Sequence, residues 1–430
     1  MKTYKLILLL LHLFINFSDA QTTLEYSVTP WLNNKRGALS LTFDDNIKGQ
    51  YTTAIPTMNE PKYGFRGTFY TVTNWVPQSG IGSWVYLRDE VALKGHEIAS
   101  HTVSHRNLSQ LSDKEKADEI INSDMIIESN IPNIKCVSIA WPLGVGGQDA
   151  KVVAESNKRY IGGRNAWGAE WTNGEPHTAW MNSLTSKMNV LAFGISPQVN
   201  ISQYTGYITG CLQYKWLVFF YHGIEEGEYD GPGKANFIKQ MDAINAQKKN
   251  LWIAPFGEVM RYNAEKFSQS LKINSETDKE WILNLTDTLK DNDVYNHPLT
   301  LKVKNPTWKY DSITQNGRKV EHYVETGHVF FNAVPDVGKI IFHKNVISSI
   351  QTFNNKEEQF SIFPNPVKNK LNVVNIVKDV SYVITTITGN VVQNGVLTSD
   401  YIDIDNLTTG SYLIQFKTEK QKITRKFIKE

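Results

Sequence analysis

Four short segments of this chain carry residues whose types and spacing suit metal-assisted hydrolytic chemistry. Thr42-Phe43-Asp44-Asp45 holds two adjacent carboxylates, and His101-Thr102-Val103-Ser104-His105 holds two imidazoles four residues apart. Trp141-Pro142-Leu143-Gly144 is a Pro-Gly turn, and Phe220-Tyr221-His222 ends in a further imidazole. One carboxylate oxygen and two imidazole nitrogens, from Asp45, His101 and His105, form a ligand set of the kind that holds catalytic Zn²⁺ or a similar divalent ion. Residues at i and i+4 face the same way on a helical turn, which is how the His pair is expected to converge. A bound cation keeps the nearer carboxylate ionised and leaves the other as a general base, worth roughly 10²–10⁴-fold. His222 is then free to give a proton to a leaving group. Taken alone, each piece has a plainer reading: an Asp pair in a turn, a structural His pair, a histidine at the edge of a core. Their joint occurrence favours the site.

The elements around these segments place them consistently. Apolar runs of strand length recur at Ala38–Phe43, Gly67–Val72, His96–Ser100, Val137–Trp141, Leu217–Tyr221 and Leu251–Ala254. Helix-like stretches lie between them at Trp84–Lys94, Ser112–Ser129, Ala150–Asn157 and Ala235–Lys248. Ser112 and Glu115 read as a capping box. Strands alternating with helices imply a parallel sheet, and this many units imply an α/β barrel. Barrel enzymes carry their chemistry at the carboxyl ends of the strands, where all four segments fall.

The ends and the composition bound the rest. Lys2 and Lys5, the apolar run Leu6–Phe14 and Ser18-Asp19-Ala20 read as a signal peptide over residues 1–20, cleaved before Gln21. That run is too short to span a bilayer, and no other stretch qualifies. The formal net charge of +2 gives no sign of a nucleic-acid partner. Aromatic residues make up 11% of the chain; their flat faces suit sugar rings as well as cores, so the fraction does not discriminate. Cys136 and Cys211 are either a disulfide or two buried thiols.

Residues 21–265 are expected to form the barrel and 266–350 a small all-β module. The module's runs, Ser270–Asn274, Trp281–Leu285, Leu299–Val303 and Gly338–Phe342, alternate like the strands of a sandwich. A polar linker covers residues 351–359, and strand-like runs fill residues 360–430. This tail resembles the C-terminal sorting domain of proteins exported by the type IX secretion system. Phe363-Pro364-Asn365-Pro366, the Thr388-Gly389-Asn390 turn and Leu407–Leu413 carry the resemblance. It implies a β-sandwich, the type IX machinery as a partner, and a protein that is secreted or held at the outer cell surface.

The barrel resembles the NodB-like polysaccharide deacetylases, the family 4 carbohydrate esterases. Thr42–Asp45, Gly95–Ser100 and His101–His105 match its first two motifs in order. The resemblance spans roughly residues 36 to 260. It implies a distorted (β/α) barrel and removal of N- or O-linked acetyl groups from a polysaccharide. By motif, Asp44 is the base; Asp45, His101 and His105 hold the metal; His222 is the acid; and the Leu143 N–H faces the oxyanion. Trp141, Trp167 and Trp171 are expected either to form a sugar platform or to pack in the core. Three positions depart from the family pattern. Asn46 stands where Gly is usual, Leu143 where Tyr is frequent, and Ala140 where the family often has the arginine that orients the base. Arg164, in Gly162-Gly163-Arg164-Asn165, is either its substitute or, the reading preferred on sequence grounds, a surface or sheet-edge arginine. The absent arginine also motivates a rival: a non-catalytic glycan-binding protein on the same barrel. A second rival is a hydrolase of another bond, such as a non-peptide carbon–nitrogen bond, on the same metal scaffold.

Overall fold

A computed structural model describes residues 24–166, 187–345, 361–374, 380–417 and 422–430. The signal segment, Trp167, Trp171 and the linker at 351–359 lie outside the described residues. The chain divides into two compact units, residues 1–346 and 347–430.

The first unit is built on a parallel sheet that curls into a barrel. After β1 (Tyr26–Val28) come β2 (Gly37–Asp44), β3 (Thr68–Thr71), β4 (Glu97–Ser100), β5 (Ser138–Ala140), β6 (Gly162–Arg164), β7 (Phe193–Gly194), β8 (Trp216–Tyr221) and β9 (Leu251–Ile253). The order is β6-β5-β4-β3-β2-β8-β7, with β9 paired to the start of β2. A parallel bridge between Arg164 and Val190 links β6 to the segment entering β7. Pairing thus runs the whole way round. β2 is buried along its full length, as expected of a parallel strand covered on both faces. Each large side chain it buries, such as Leu41 or Phe43, contributes roughly 1.5–3 kcal/mol.

The expected helices form at Asp113–Asn130, Ala150–Ser156 and Lys234–Ala246. Ser112 and Glu115 make both bonds of the capping box. Trp84–Lys94 is helical throughout, winding from α through π to 3₁₀ geometry. Two further helices, Ile201–Cys211 and Phe256–Ser268, were not singled out by the sequence pattern. Cys136 and Cys211 are separate buried thiols, which removes the disulfide alternative.

The all-β region is a sandwich. One sheet runs Tyr26–Val28, Leu299–Lys304, His328–Ala333, His322–Glu325; the other runs Ser270–Glu276, Glu280–Thr286, Ile340–Lys344, Tyr310–Gln315, Arg318–Val320. β1 is therefore not part of the barrel, where the boundary at residue 21 placed it. It is an edge strand of the sandwich, pairing antiparallel with Leu299–Lys304. Leu283, Leu301, Phe331 and Phe342 of the sandwich share one buried cluster with Val218, Phe220, Phe256 and Met260 of the barrel.

The second unit has a three-stranded sheet (Ser361–Phe363, Lys370–Val374, Tyr401–Asp403) and a four-stranded one (Val391–Leu397, Val380–Thr386, Gly410–Lys417, Lys422–Lys429). Leu371, Ile384, Ile402, Ile414, Phe416 and Phe427 are buried between them.

Candidate active site

Asp44 is the last residue of β2, and Asp45 follows at φ 72. Asn46 stands at φ 55. Glycine and asparagine both enter this left-handed region, which accounts for Asn at a position where Gly is usual. Its Oδ1 accepts the Val72 N–H at 2.9 Å, tying the turn to the end of β3.

His101 follows β4. The His101–His105 segment is not the helical turn that the spacing suggested. It is a loop with Thr102 at φ 66 and His105 at φ 59, and the left-handed residues swing the second imidazole back towards the first. His101 Nδ1 donates to the Ala140 carbonyl at 2.9 Å, which leaves Nε2 as the free acceptor. His101 Nε2 lies 3.5 Å and His105 Nε2 3.4 Å from Asp45 Oδ1. That oxygen is buried and has no hydrogen-bond partner among the described residues. A ligand atom from each of the three residues lies within 4.8 Å of the others. An orphaned buried carboxylate oxygen facing two imidazole nitrogens fits a divalent cation.

Asp44 is held by Arg164, named from the sequence as a possible partner although a surface position was the preferred reading. Arg164 is fully buried, and its Nη2 donates to Asp44 Oδ2. Arg164 is aligned with Ala140 in the β5–β6 register, so the guanidinium comes from the neighbouring strand at the same level. Two glycines let β6 approach closely enough. A Cβ on Gly162 would come within 2.6 Å of Met260, and one on Gly163 within 2.8 Å of both Trp141 and the Met188 carbonyl. The guanidinium also lies 4.8 Å from the Phe220 ring and 5.1 Å from the Tyr70 ring, so its charge is sandwiched by aromatic faces.

Burial alone would raise the Asp44 carboxyl, but the Arg164 charge, then those of His101 and His222, hold it below the ordinary carboxylate value. Asp45 moves the other way, pushed up to about 6 by burial and then by the charge of Asp44. Burial brings His101 down to about 4 and also lowers His105, so both imidazoles are neutral, the state in which they bind metal.

His222 follows β8, with Nε2 3.8 Å from Asp45 Oδ2. Its Nδ1 lies 3.8 Å from Asp230 Oδ2, and Tyr229 packs edge-on at 4.9 Å. Gln50, itself buried, donates through Nε2 to the carbonyls of both Asp44 and His222, joining the two strand ends.

Leu143 sits at φ 55 in the turn after β5, with its side chain exposed. Trp141 does not form a sugar platform. It is 1% exposed, and its Nε1 donates to the Met188 carbonyl at 2.7 Å, so it packs in the core. An aromatic that sequence reasoning passed over stands nearer the cleft: Trp75, 48% exposed, with its ring 5.2 Å from that of His105. Gln50 and Asp230 were missed as well. Neither belongs to a motif, and the only signal for Asp230 is its place a short loop beyond His222.

Residues 32–160 match the polysaccharide deacetylase family model, and residues 361–430 match the secretion system C-terminal sorting domain. The sorting domain indicates a secreted or cell-surface protein. A gellan lyase from a Bacillus species is 23% identical over 351 residues, covering 76% of this chain and 14% of its own length. "Putative polysaccharide deacetylase YxkH" of Bacillus subtilis (strain 168) is 26% identical over 126 residues, 28% of this chain and 42% of that one. The chain thus spans less than half the length of either curated relative. Among solved structures, the Xyl-CE4 domain of a multidomain xylanase from the hindgut metagenome of Trinervitermes trinervoides matches at 13% identity and a TM-score of 0.36, over 52% of this chain and 89% of that one. Among the described residues no helix is long and apolar enough to cross a membrane. With the ordered motifs and both family matches in hand, the chain carries a polysaccharide deacetylase domain followed, at its C-terminal end, by a secretion system sorting domain.

Proposed function

We propose that the protein is a secreted, metal-dependent carbohydrate esterase that removes acetyl groups, N- or O-linked, from a polysaccharide. The observation that carries this reading is the convergence of Asp45, His101 and His105 beside an Asp44 held by a buried arginine. Asp45, His101 and His105 would hold Zn²⁺ or another divalent ion, which acidifies water and polarises an acyl oxygen when bound.

The protein's own residues supply the rest. Asp44 stays ionised through Arg164 and accepts a proton from the attacking water. His222, on the other side of Asp45, gives a proton to the leaving nitrogen or oxygen of the sugar. The Asp230 carboxylate faces its Nδ1 at 3.8 Å. The Leu143 N–H is the donor for the oxyanion of the tetrahedral intermediate. Trp75 offers a half-open aromatic face for a sugar ring beside the metal ligands. The sorting domain would hand the protein to the type IX machinery.

The rival of a non-catalytic glycan binder rested on the missing arginine of the β5 turn. Arg164 meets Asp44 from β6 and supplies that partner, so the rival loses its motive. The test is acetate release from a panel of acetylated polysaccharides, with and without chelator. Gellan belongs in the panel because a gellan lyase is among the relatives. Metal-loaded protein that binds glycans from the panel yet releases no acetate would sink the esterase reading and restore the binder.

A further inference from the structure

The loop that presents the two metal-ligating histidines offers its Thr102 and Val103 carbonyls to the Thr73 and Asn74 N–H groups at 3.3 and 2.9 Å, and its own N–H groups are fastened by one face of one helix. The helix Asp113–Asn130 carries Glu119 and Ser123 at i and i+4, so both side chains project the same way. Glu119 is almost fully buried, and one of its oxygens accepts the Val103 N–H at 3.0 Å and the Ser104 N–H at 2.9 Å. Its other oxygen takes the Ser104 hydroxyl. Ser123, fully buried, accepts from the Ser100 hydroxyl at 2.8 Å, and the Ser100 oxygen in turn accepts the Thr102 N–H at 3.2 Å. Three consecutive backbone donors between His101 and His105 therefore end, directly or through one hydroxyl, on this helix face.

Those donors belong to a loop that closes on itself through a single bond, from the His105 N–H to Thr102 Oγ1 at 3.1 Å. Thr102 and His105 both occupy the left-handed region, at φ 66 and 59. For a β-branched threonine this conformation is strained and persists only where the surroundings over-determine it. The loop cannot use helical bonds, so its N–H groups need other acceptors. A buried carboxylate satisfying two of them is a charge-assisted anchor, stronger than a neutral one.

We propose that Glu119, assisted by Ser123, is a positioning residue for the metal centre, holding the loop in the one conformation that brings His101 and His105 to the same cation. The proposal rests on the metal-site reading of Asp45, His101 and His105. Glu119 touches neither metal nor substrate and acts through the loop backbone.

The two claims separate in one experiment. Zn²⁺ affinity is measured by chelator competition on the full chain for wild type, Glu119→Gln, Ser123→Ala and Asp118→Asn. Glutamine keeps the size of Glu119 and can still pair with the Ser104 hydroxyl through its amide nitrogen, but it removes the charge, so the Val103 and Ser104 N–H groups lose their charge-assisted acceptor. Glu119→Gln is expected to weaken Zn²⁺ binding by about 10–100-fold, the range seen when a group supporting a metal ligand is removed. Ser123→Ala should weaken it less, and Asp118→Asn, on the exposed side of the same helix, not at all. Near-UV circular dichroism of the metal-free proteins establishes that each variant is folded; should Glu119→Gln fail, Ser123→Ala carries the comparison. A folded Glu119→Gln with wild-type Zn²⁺ affinity overturns the positioning role and leaves the metal site standing. A wild type without measurable Zn²⁺ affinity overturns the metal site itself.

Discussion

Arg164 and Asp44 meet inside the barrel from strands 120 residues apart in sequence, both almost wholly removed from solvent. A buried ion pair is costly to assemble but more costly to break, because the surviving charge has no water to fall back on. Arg164→Ala should therefore destabilise the protein by about 3–5 kcal/mol in denaturant unfolding. Acetate release should fall with it, since an unpaired buried Asp44 gives up its ionised state. The double variant Asp44→Asn/Arg164→Ala removes both charges and should recover much of the lost stability. If the double variant is no more stable than Arg164→Ala, the pair is not the source of the penalty.

Asp44→Asn on its own separates base from ligand. An asparagine leaves the buried Arg164 charge without its counter-ion and so costs stability, but it retains an amide oxygen for the Arg164 N–H, and the Asp45/His101/His105 triad should survive in the folded protein. Metal content measured by atomic absorption should match wild type, while turnover drops by roughly 10²–10⁴-fold. His101→Ala, in contrast, should lose metal and turnover together.

Much of this was legible in the sequence, and the reason is geometric. The strands that carry Asp44, His101 and His222 are short apolar runs with their functional residues directly at the carboxyl end, so linear order and three-dimensional place coincide. Arg164 was named as a possible partner of Asp44 but read more readily as a surface residue, because its partner lies on another strand and a short Gly-Gly-Arg strand has none of the apolar pattern that marks a buried element. β1 escaped for a related reason: its pairing with Leu299–Lys304 is set by a partner far along the chain. The His loop was misread because i, i+4 spacing describes a helix, whereas left-handed residues at Thr102 and His105 reach the same convergence by another route.

The proposed roles of Trp75 and Leu143 differ in kind, one using a side chain and the other a backbone N–H. If the half-exposed Trp75 ring binds a sugar as proposed, Trp75→Ala should raise KM for polysaccharide several-fold with kcat nearly unchanged. Leu143→Gly should leave kcat within a few-fold of wild type. Glycine enters φ 55 without strain and keeps the N–H, so a large fall in kcat would mean that the leucine side chain matters in its own right.

The junction of barrel and sandwich holds a carboxyl pair with its own pH signature. Glu265, buried on the helix Phe256–Ser268, lies against Asp287 just after the strand Glu280–Thr286. Burial first, then the neighbouring Asp287 carboxyl, push Glu265 up from 4.5 to about 8. The folded protein therefore keeps a proton there that the unfolded chain has released. Stability from this pair is fully present below pH 4.5 and declines as the pH rises towards about 8. Glu265→Gln fixes the protonated pattern, since its amide can donate to Asp287 while its oxygen still accepts the His297 N–H, now held at 3.2 Å. Thermal unfolding between pH 5 and 9 should show a flatter dependence for the variant and, at pH 9, a higher Tm than wild type. A variant whose Tm falls with pH as steeply as wild type would show that the titrating group lies elsewhere.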